Sequence, residues 1–268
     1  MLKFSANLSF LFGECSSLEQ RIDAAAESGF KGVEYMFPYD ENVAALRRRL
    51  EQHRMEQVLF NLPAGDFTGG ERGIAVDPGR VAEFRRGVAD AARIARDLSC
   101  MRVNCLVGKV VPDVDARTTR ATLVDNLRHA ADAFAPAGIT LLVEPLNRLE
   151  TPNFAIGTTA EALGLIAAVD RPNFKVQYDC YHAQRAEGNI IATLRARIAS
   201  IGHLQIADSP ARNEPGTGEL AYDRILRAVD ELRFAGWVGL EYKPSHSTAE
   251  SFAWMTTYGF APHEVTSR

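Results

Sequence analysis

Four polar residues occupy the points where apolar, β-branched segments of the sequence end. These residues are Glu144, Asp179, Gln205 and Glu241. Successive members are separated by about the length of one strand and one helix, a repeat that predicts a parallel α/β fold. The carboxyl ends of all strands in such a fold face the same side, so we expect the four side chains to converge on one site.

Eight segments of the sequence have the composition of short, buried strands. They are residues 4–10, 32–37, 57–62, 101–108, 140–144, 175–179, 203–208 and 237–242. Helical patterns alternate with them, and the clearest cover residues 16–28, 81–98 and 121–137. Eight alternations predict an α/β fold with a single (β/α)8 TIM barrel over residues 1–268 and a polar tail over about 258–268. A doubly wound open sheet is the alternative, but residues 7–13 lack its glycine fingerprint.

Local signals mark helix starts and one long loop. Capping boxes are predicted at Ser16/Glu19, Thr158/Glu161 and Ser247/Glu250. The longest irregular stretch covers residues 63–79, and its length predicts a functional loop over the barrel mouth. Whether this loop closes as a lid is left open by the sequence.

Composition and charge exclude several classes of protein. The net charge is −4, so the basic surface of a nucleic-acid binder is not expected. The sequence has no apolar run of the roughly 18 residues that a membrane span needs, and its first residues do not resemble a signal peptide. The four cysteines have no CxxC spacing and indicate reduced thiols. These features predict a cytoplasmic protein with a small-molecule partner, and exposed barrel helices would be compatible with a homo-oligomer.

The four strand-end residues offer oxygen ligands to a metal. Three carboxylates and an amide are donors that a hard divalent cation selects, which predicts Mg²⁺ or Mn²⁺. The sequence has no H-E-x-x-H motif, no cysteine cluster and only six histidines, which argues against a dedicated zinc site. A strand that simply ends on a polar residue is the alternative for each position.

Other polar residues on predicted mouth loops are candidates for contact with a substrate. His182 lies just beyond Asp179, and Glu150 follows Glu144 by six positions. Three cations could pair with a substrate carboxylate, namely Lys109, Arg212 and Arg72. Asn7 and Glu34, on the first two strands, either point into the mouth or fill the barrel core. Each of the three cations could instead be a solvated charge, Glu150 could be merely solvated, and His182 could be only a surface residue.

The sequence resembles the hydroxypyruvate isomerase family, within the xylose isomerase-like barrels. The resemblance covers nearly the whole chain, and it is carried by FSANLSFLFGE (4–14), GVEYMFPYD (32–40), NLPAGDFTGGERGIA (61–75), LLVEPLN (141–147), VQYDCYHAQR (176–185), GHLQIAD (202–208) and GWVGLEYKP (236–244). It implies that Glu144, Asp179, Gln205 and Glu241 bind a divalent metal. It also implies that Glu144 and Glu241 form the acid/base pair, while similarity to ketose 3-epimerases places His182 and, more approximately, Arg212 on the substrate.

The reaction implied by the resemblance interconverts hydroxypyruvate and 2-hydroxy-3-oxopropanoate (tartronate semialdehyde) through an enediolate. A 2-oxo-tetronate isomerase with the same mechanism is the nearest alternative. A ketose 3-epimerase and a non-catalytic sugar or metal binder also stay open. An apurinic-site endonuclease would require several zinc-binding histidines and a basic face, which this sequence does not offer.

Overall fold

The structure, a computed structural model, describes residues 2–261. Eight parallel strands close into a barrel in which each strand pairs with its neighbours in chain order. The strands are β1 Lys3–Asn7, β2 Gly32–Glu34, β3 Glu56–Asn61, β4 Arg102–Cys105, β5 Thr140–Val143, β6 Phe174–Asp179, β7 Ile201–Ile206 and β8 Trp237–Leu240. The predicted (β/α)8 barrel is confirmed.

Nine α-helices are described, and those between the strands cover the outside of the barrel. They are α1 Leu18–Glu27, α2 Val43–His53, α3 Val81–Asp97, α4 Ala116–Phe134, α5 Thr159–Val169, α6 Cys180–Ala186, α7 Ile190–Arg197, α8 Tyr222–Glu231 and α9 Ala253–Tyr258. Within residues 2–261 none of the helices has the length and apolar character needed to span a membrane.

Two helices begin at residues other than the predicted ones, because local caps determine where each helix starts. Helix α1 begins at Leu18, one residue later than the predicted Ser16/Glu19 box requires. The Ser17 side chain, rather than Ser16, accepts a hydrogen bond from the backbone amide of Gln20. The predicted Ser16/Glu19 box is therefore wrong. Helix α4 begins five residues before the predicted start, at Ala116, because the Asp115 carboxylate accepts the Thr118 amide.

The hydrogen bonds of the other two predicted capping boxes are present, but only the first box caps an α-helix, since the short 3-10 helix Glu250–Phe252 follows Ala249, which makes no side-chain cap bond. At the start of α5 the Thr158 side chain accepts the Glu161 amide, and the Glu161 carboxylate accepts the Thr158 amide. Ser247 and Glu250 exchange the same two bonds at 3.2 and 3.3 Å. The predicted tail over 258–268 begins inside α9, which ends at Tyr258, and residues 262–268 lie outside the described residues.

Several predicted strands end earlier than expected because their last residues join loops at the mouth. After β4 the chain leaves the barrel, and Lys109 forms an isolated antiparallel bridge with Phe154 in the loop that follows β5. The register of β6 against β7 sets Asp179 beside Gln205. Gln205 is in turn opposite Gly239 of β8. The strand pairing thus brings polar residues of β6 and β7 together at the carboxyl end of the barrel.

Candidate active site

A cavity of about 450 Å³ opens at the carboxyl ends of the strands. Three of the four strand-end residues line it, namely Glu144, Gln205 and Glu241, and so do His182 and Arg212. Asp179 is fully buried behind this wall, and its carboxylate contacts two of the lining side chains. The ends of four successive strands therefore meet in one place.

Glu144 directly follows β5 and presents one carboxylate oxygen without a partner. Its Oε2 accepts hydrogen bonds from Gln177 Nε2 at 3.0 Å and from Asn104 Nδ2 at 3.3 Å. Its Oε1 is buried and has no hydrogen-bond partner. Burial raises the pKa of Glu144 well above its usual value, and the charges of Glu241 and Asp179 add to this effect. Such an oxygen requires a proton or a cation.

Asp179 ends β6 and begins helix α6. Its Oδ1 accepts the Tyr181 amide at 2.8 Å, as an N-cap does. Burial raises the pKa of the Asp179 carboxyl, although the charge of Arg212 opposes the shift. Its Oδ2 lies 3.7 Å from His182 Nε2. One turn of helix thus places the histidine beside the carboxylate that starts the helix.

The hydrogen bonds of His182 determine which of its nitrogens carries the proton. Asn147 Oδ1 accepts the Glu150 amide at 3.0 Å, which turns the Asn147 amide nitrogen toward His182 Nδ1 at 2.7 Å. Burial, with the charges of two arginines, lowers the pKa of His182 well below its usual value, so the ring is neutral. Because Nδ1 accepts, Nε2 carries the hydrogen and faces Glu144 Oε1 at 4.0 Å.

Glu241 follows β8 and is paired with an arginine. Its Oε1 lies 2.9 Å from the Arg212 guanidinium, which also lies 3.5 Å from Asp179 Oδ2. The guanidinium stacks over the rings of Phe10 at 5.1 Å and Tyr181 at 5.0 Å. Burial raises the pKa of Glu241 to about 8, although Arg212 opposes the shift. Arg212 therefore acts on the carboxylates of the site, a contact that its predicted role as a substrate ligand did not include.

Gln205 lies on β7 between two partners that fix its amide. Its Nε2 donates to Glu34 Oε1 at 2.8 Å, and its Oε1 accepts from Gln177 Nε2 at 2.6 Å. Sequence reasoning missed Gln177, Asn104 and Asn147. Gln177 could have been found, because it lies two positions before Asp179 on the same strand and so faces the same side.

The structure distributes the remaining candidates around the mouth. Arg72 and Glu150 line the cavity, and so does Lys243, which sequence reasoning did not single out. Glu150 also accepts a hydrogen bond from the Tyr181 hydroxyl. Lys109 is not in the cavity wall, because its Nζ donates to the Gly70 carbonyl at 2.8 Å and the side chain lines a separate hollow.

Arg72 is held in place by the long loop of residues 63–79. Its guanidinium stacks on the Phe67 ring at 4.0 Å, and its NH1 donates to the carbonyls of Phe67 and Glu71. Within residues 2–261 no carboxylate forms an ion pair with it. The loop thus forms part of the cavity wall, while its closure over a substrate stays a prediction.

The donors of the site suit a divalent cation. The candidate ligand atoms of Glu144, Asp179 and His182 lie within 4.8 Å of one another. Glu144 Oε1 lacks any other partner, and Gln205 and Glu241 line the same cavity. Since His182 Nε2 carries a hydrogen, the histidine is better suited to donate toward the cavity than to coordinate a metal.

Comparisons with known proteins agree with this geometry. Residues 22–258 match the family model of the xylose isomerase-like TIM barrel. The chain is 49% identical over 258 residues to hydroxypyruvate isomerase of Escherichia coli (strain K12), which covers 96% of this chain and 100% of that protein. It is 40% identical over 258 residues to 2-oxo-tetronate isomerase of Cupriavidus necator, with 96% and 99% covered. The crystal structure of AP endonuclease, family 2, from Brucella melitensis superposes with a TM-score of 0.92 at 42% identity, with 96% and 99% covered.

Proposed function

The chain belongs to the xylose isomerase-like TIM barrel family, and we propose that it is an isomerase that interconverts hydroxypyruvate and 2-hydroxy-3-oxopropanoate. The observation that carries the proposal is the pair of buried glutamates, Glu144 and Glu241, which face one cavity with raised pKa values. The 49% identity to a hydroxypyruvate isomerase over 96% of the chain supports the three-carbon substrate.

The proposed cofactor is Mg²⁺ or Mn²⁺, held by oxygen atoms of the four strand-end residues. Glu144, Asp179, Gln205 and Glu241 would be its ligands. When bound, the cation supplies a positive charge that acidifies the hydrogen next to the carbonyl and stabilises the enediolate. The support for this assignment is the unpartnered Oε1 of Glu144 beside the buried carboxylate of Asp179.

The isomerisation moves one hydrogen from C3 to C2 of the substrate. A carboxylate removes the C3 proton and leaves an enediolate, the hydroxyl proton passes from O3 to O2, and a carboxylic acid returns a proton to C2. Glu144 and Glu241 are proposed for these two transfers. Their raised pKa values favour both roles, because a carboxyl that titrates closer to neutral pH both accepts and returns a proton readily.

The other proposed contacts hold the substrate. The Nε2 hydrogen of His182 would donate to a substrate oxygen in the cavity. The free edge of the Arg72 guanidinium would pair with the substrate's carboxylate, since its NH1 is already bound to backbone carbonyls. Glu150 would accept the Tyr181 hydroxyl and so hold the Tyr181 ring against the Arg212 guanidinium. Arg212 itself would keep Glu241 from becoming fully protonated at neutral pH.

A 2-oxo-tetronate isomerase is the second candidate, since relatives at 40% identity carry that name and the same residues could serve it. Cleavage of abasic DNA has less support, although a structural neighbour is named for it. The net charge is −4, and among the described residues the group that could hold a metal includes one histidine.

The deciding experiment compares kcat/KM for hydroxypyruvate and for 2-oxo-tetronate, first with Mg²⁺ and then after chelation. We expect a preference of about tenfold or more for hydroxypyruvate, which is about 1.4 kcal/mol of transition-state discrimination, and loss of turnover with the chelator. A preference for the four-carbon acid would transfer the proposal to that substrate. Turnover of neither acid would contradict it.

A further inference from the structure

A buried carboxylate lies below the proposed metal site and has no role in the reaction described above. Glu34, at the end of β2, is fully buried and accepts contacts on both oxygens. Its Oε2 receives the Ser5 hydroxyl at 2.8 Å and lies 2.8 Å from His203 Nε2. Its Oε1 receives Asn7 Nδ2 at 3.2 Å and Gln205 Nε2 at 2.8 Å. This carboxylate is therefore a fixed acceptor inside the barrel.

A glycine on β8 leaves space for the Glu34 carboxylate inside the barrel. Gly239 of β8 lies against it, and a Cβ at this position would come within 2.3 Å of Glu34 Oε1. Any larger residue at 239 would displace the carboxylate or the strand. The space beside Gln205 thus depends on a glycine on one strand and a glutamate on another.

The hydrogen bonds that run from Glu34 through Gln205 and Gln177 to Glu144 give each amide one direction. Both oxygens of Glu34 accept hydrogen bonds, and the amide nitrogen of Gln205 faces Oε1 at 2.8 Å. The amide oxygen of Gln205 therefore faces the other way, toward Gln177 Nε2 at 2.6 Å. Gln177 uses the same nitrogen on Glu144 Oε2 at 3.0 Å. The Gln205 amide therefore has a single orientation in this hydrogen-bond chain.

We propose that Glu34 is a positioning residue that holds the nitrogen of the Gln205 amide and so keeps its oxygen on the side of Gln177 and Glu144, where it can bind the divalent cation. Outer residues that orient metal ligands are a general feature of metal sites, and losing one typically costs 10- to 100-fold in metal affinity. Without Glu34, the Gln205 amide could turn over and present N–H groups to the cation. The inference rests on the metal site of the proposed function.

The first test measures Mn²⁺ affinity by electron paramagnetic resonance of the free ion. Glu34→Leu removes the acceptor, and we expect the Kd to rise by about 10- to 100-fold. Glu34→Gln retains an oxygen for Gln205, since the Ser5 hydroxyl can rotate to accept the new N–H group, and its Kd should stay within about threefold of wild type. Ser5→Ala is the matched control, because it removes a partner of the same carboxylate on the oxygen away from Gln205.

Each result either supports or overturns the positioning role. An unchanged Kd in Glu34→Leu would overturn it. An equal loss in Glu34→Leu and Glu34→Gln would also overturn it, since the carboxylate would then act through its charge. Circular dichroism and Tm of the metal-free variants separate loss of fold from loss of metal.

An exchange of the two residues keeps the inference testable if Glu34→Leu does not fold. The double variant Glu34→Gln with Gln205→Glu reverses the donor and acceptor at unchanged formal charge. A carboxylate at position 205 has two equivalent oxygens and no wrong orientation, so Mn²⁺ binding should stay within about tenfold of wild type. A folded double variant that does not bind Mn²⁺ would overturn the inference.

The proposed function fails by a different result. Wild-type protein that turns over neither acid, or that binds no Mn²⁺, would contradict the metal isomerase itself. Wild-type protein that binds Mn²⁺ while all Glu34 variants bind it equally would contradict only the positioning role.

Discussion

Binding of the proposed cation should weaken strongly as the pH falls, because the cation and protons compete for the same carboxylates. The pKa of Glu241 is raised to about 8, first by burial and despite the opposing charge of Arg212. About half of the Glu241 carboxyls are ionised at pH 8 and about one in a hundred at pH 6. If the cation requires the ionised form, its apparent affinity should fall by about 50-fold over this range, or about 2 kcal/mol.

The raised pKa of Glu144 should weaken cation binding at low pH in the same way.

The stability of the metal-free protein should show the opposite dependence on pH. Since the folded-state pKa of Glu241 lies above the unfolded value, its stabilising contribution is fully present below about pH 4.5 and is lost as the pH rises through about 8. The contribution of Glu241 should therefore lower the Tm of the metal-free protein as the pH rises toward 8. Added Mn²⁺ should raise the Tm most at pH 8.

The assay is isothermal titration calorimetry with Mn²⁺ in two buffers of different ionisation enthalpy. At pH 7 the titration should release about one proton from Glu241 for each ion bound. Glu241→Gln is the control, because it removes this proton while Glu144 and Asp179 remain. A Kd that is constant between pH 6 and pH 8, with no proton release, would refute the claim that these carboxyls both bind the cation and have raised pKa values.

Three further predictions follow from the cavity wall and its supporting loop. Arg72→Ala should raise the KM for hydroxypyruvate by about 10- to 100-fold, the value of a charge-assisted pair, and leave the KM for neutral dihydroxyacetone unchanged; equal effects on the two substrates would contradict it. Arg212→Ala should lower kcat at neutral pH and move the acid limb of the pH–rate profile upward, since a cation beside Asp179 and the proposed catalytic residue Glu241 is lost; a change in KM alone would argue instead for the substrate-ligand role. Gly73→Ala should destabilise the protein by more than about 1 kcal/mol in urea unfolding, because φ is 106° and the added Cβ would lie 1.7 Å from a carbonyl oxygen; Gly70→Ala, with a similar φ and open space, should cost less.

Local chemistry in the sequence determines the elements of this fold. Apolar, β-branched segments alternate with amphipathic helices, and this repeat predicts the closed parallel barrel. Thr158 and Glu161 form the capping box that their spacing predicts. The Ser16 box is wrong by one residue because Ser17 offers an equivalent hydroxyl, and short-range patterns do not separate neighbouring serines.

The same repeat predicts which residues stand at the strand ends, but it does not predict the side chains that those residues contact. Spacing alone predicts that Glu144 and Glu241 lie on one face, because parallel strands end on the same side. It does not predict that Arg212 pairs with Glu241, or that Lys109 reaches the Gly70 carbonyl outside the cavity. Those contacts depend on how loops of different length cross the barrel mouth.

The sequence by itself therefore determined the barrel, the family resemblance and the set of oxygen-bearing residues at the strand ends. Only the tertiary structure decided which atoms of those residues are free. Glu34 and Gln205 are far apart in the chain, yet their hydrogen bond fixes the Gln205 amide. Burial raises the pKa of Glu241, and burial is a property of the closed barrel that no local segment possesses. Pattern fixes local conformation, whereas desolvation and hydrogen-bond direction arise only when distant strands close around the site.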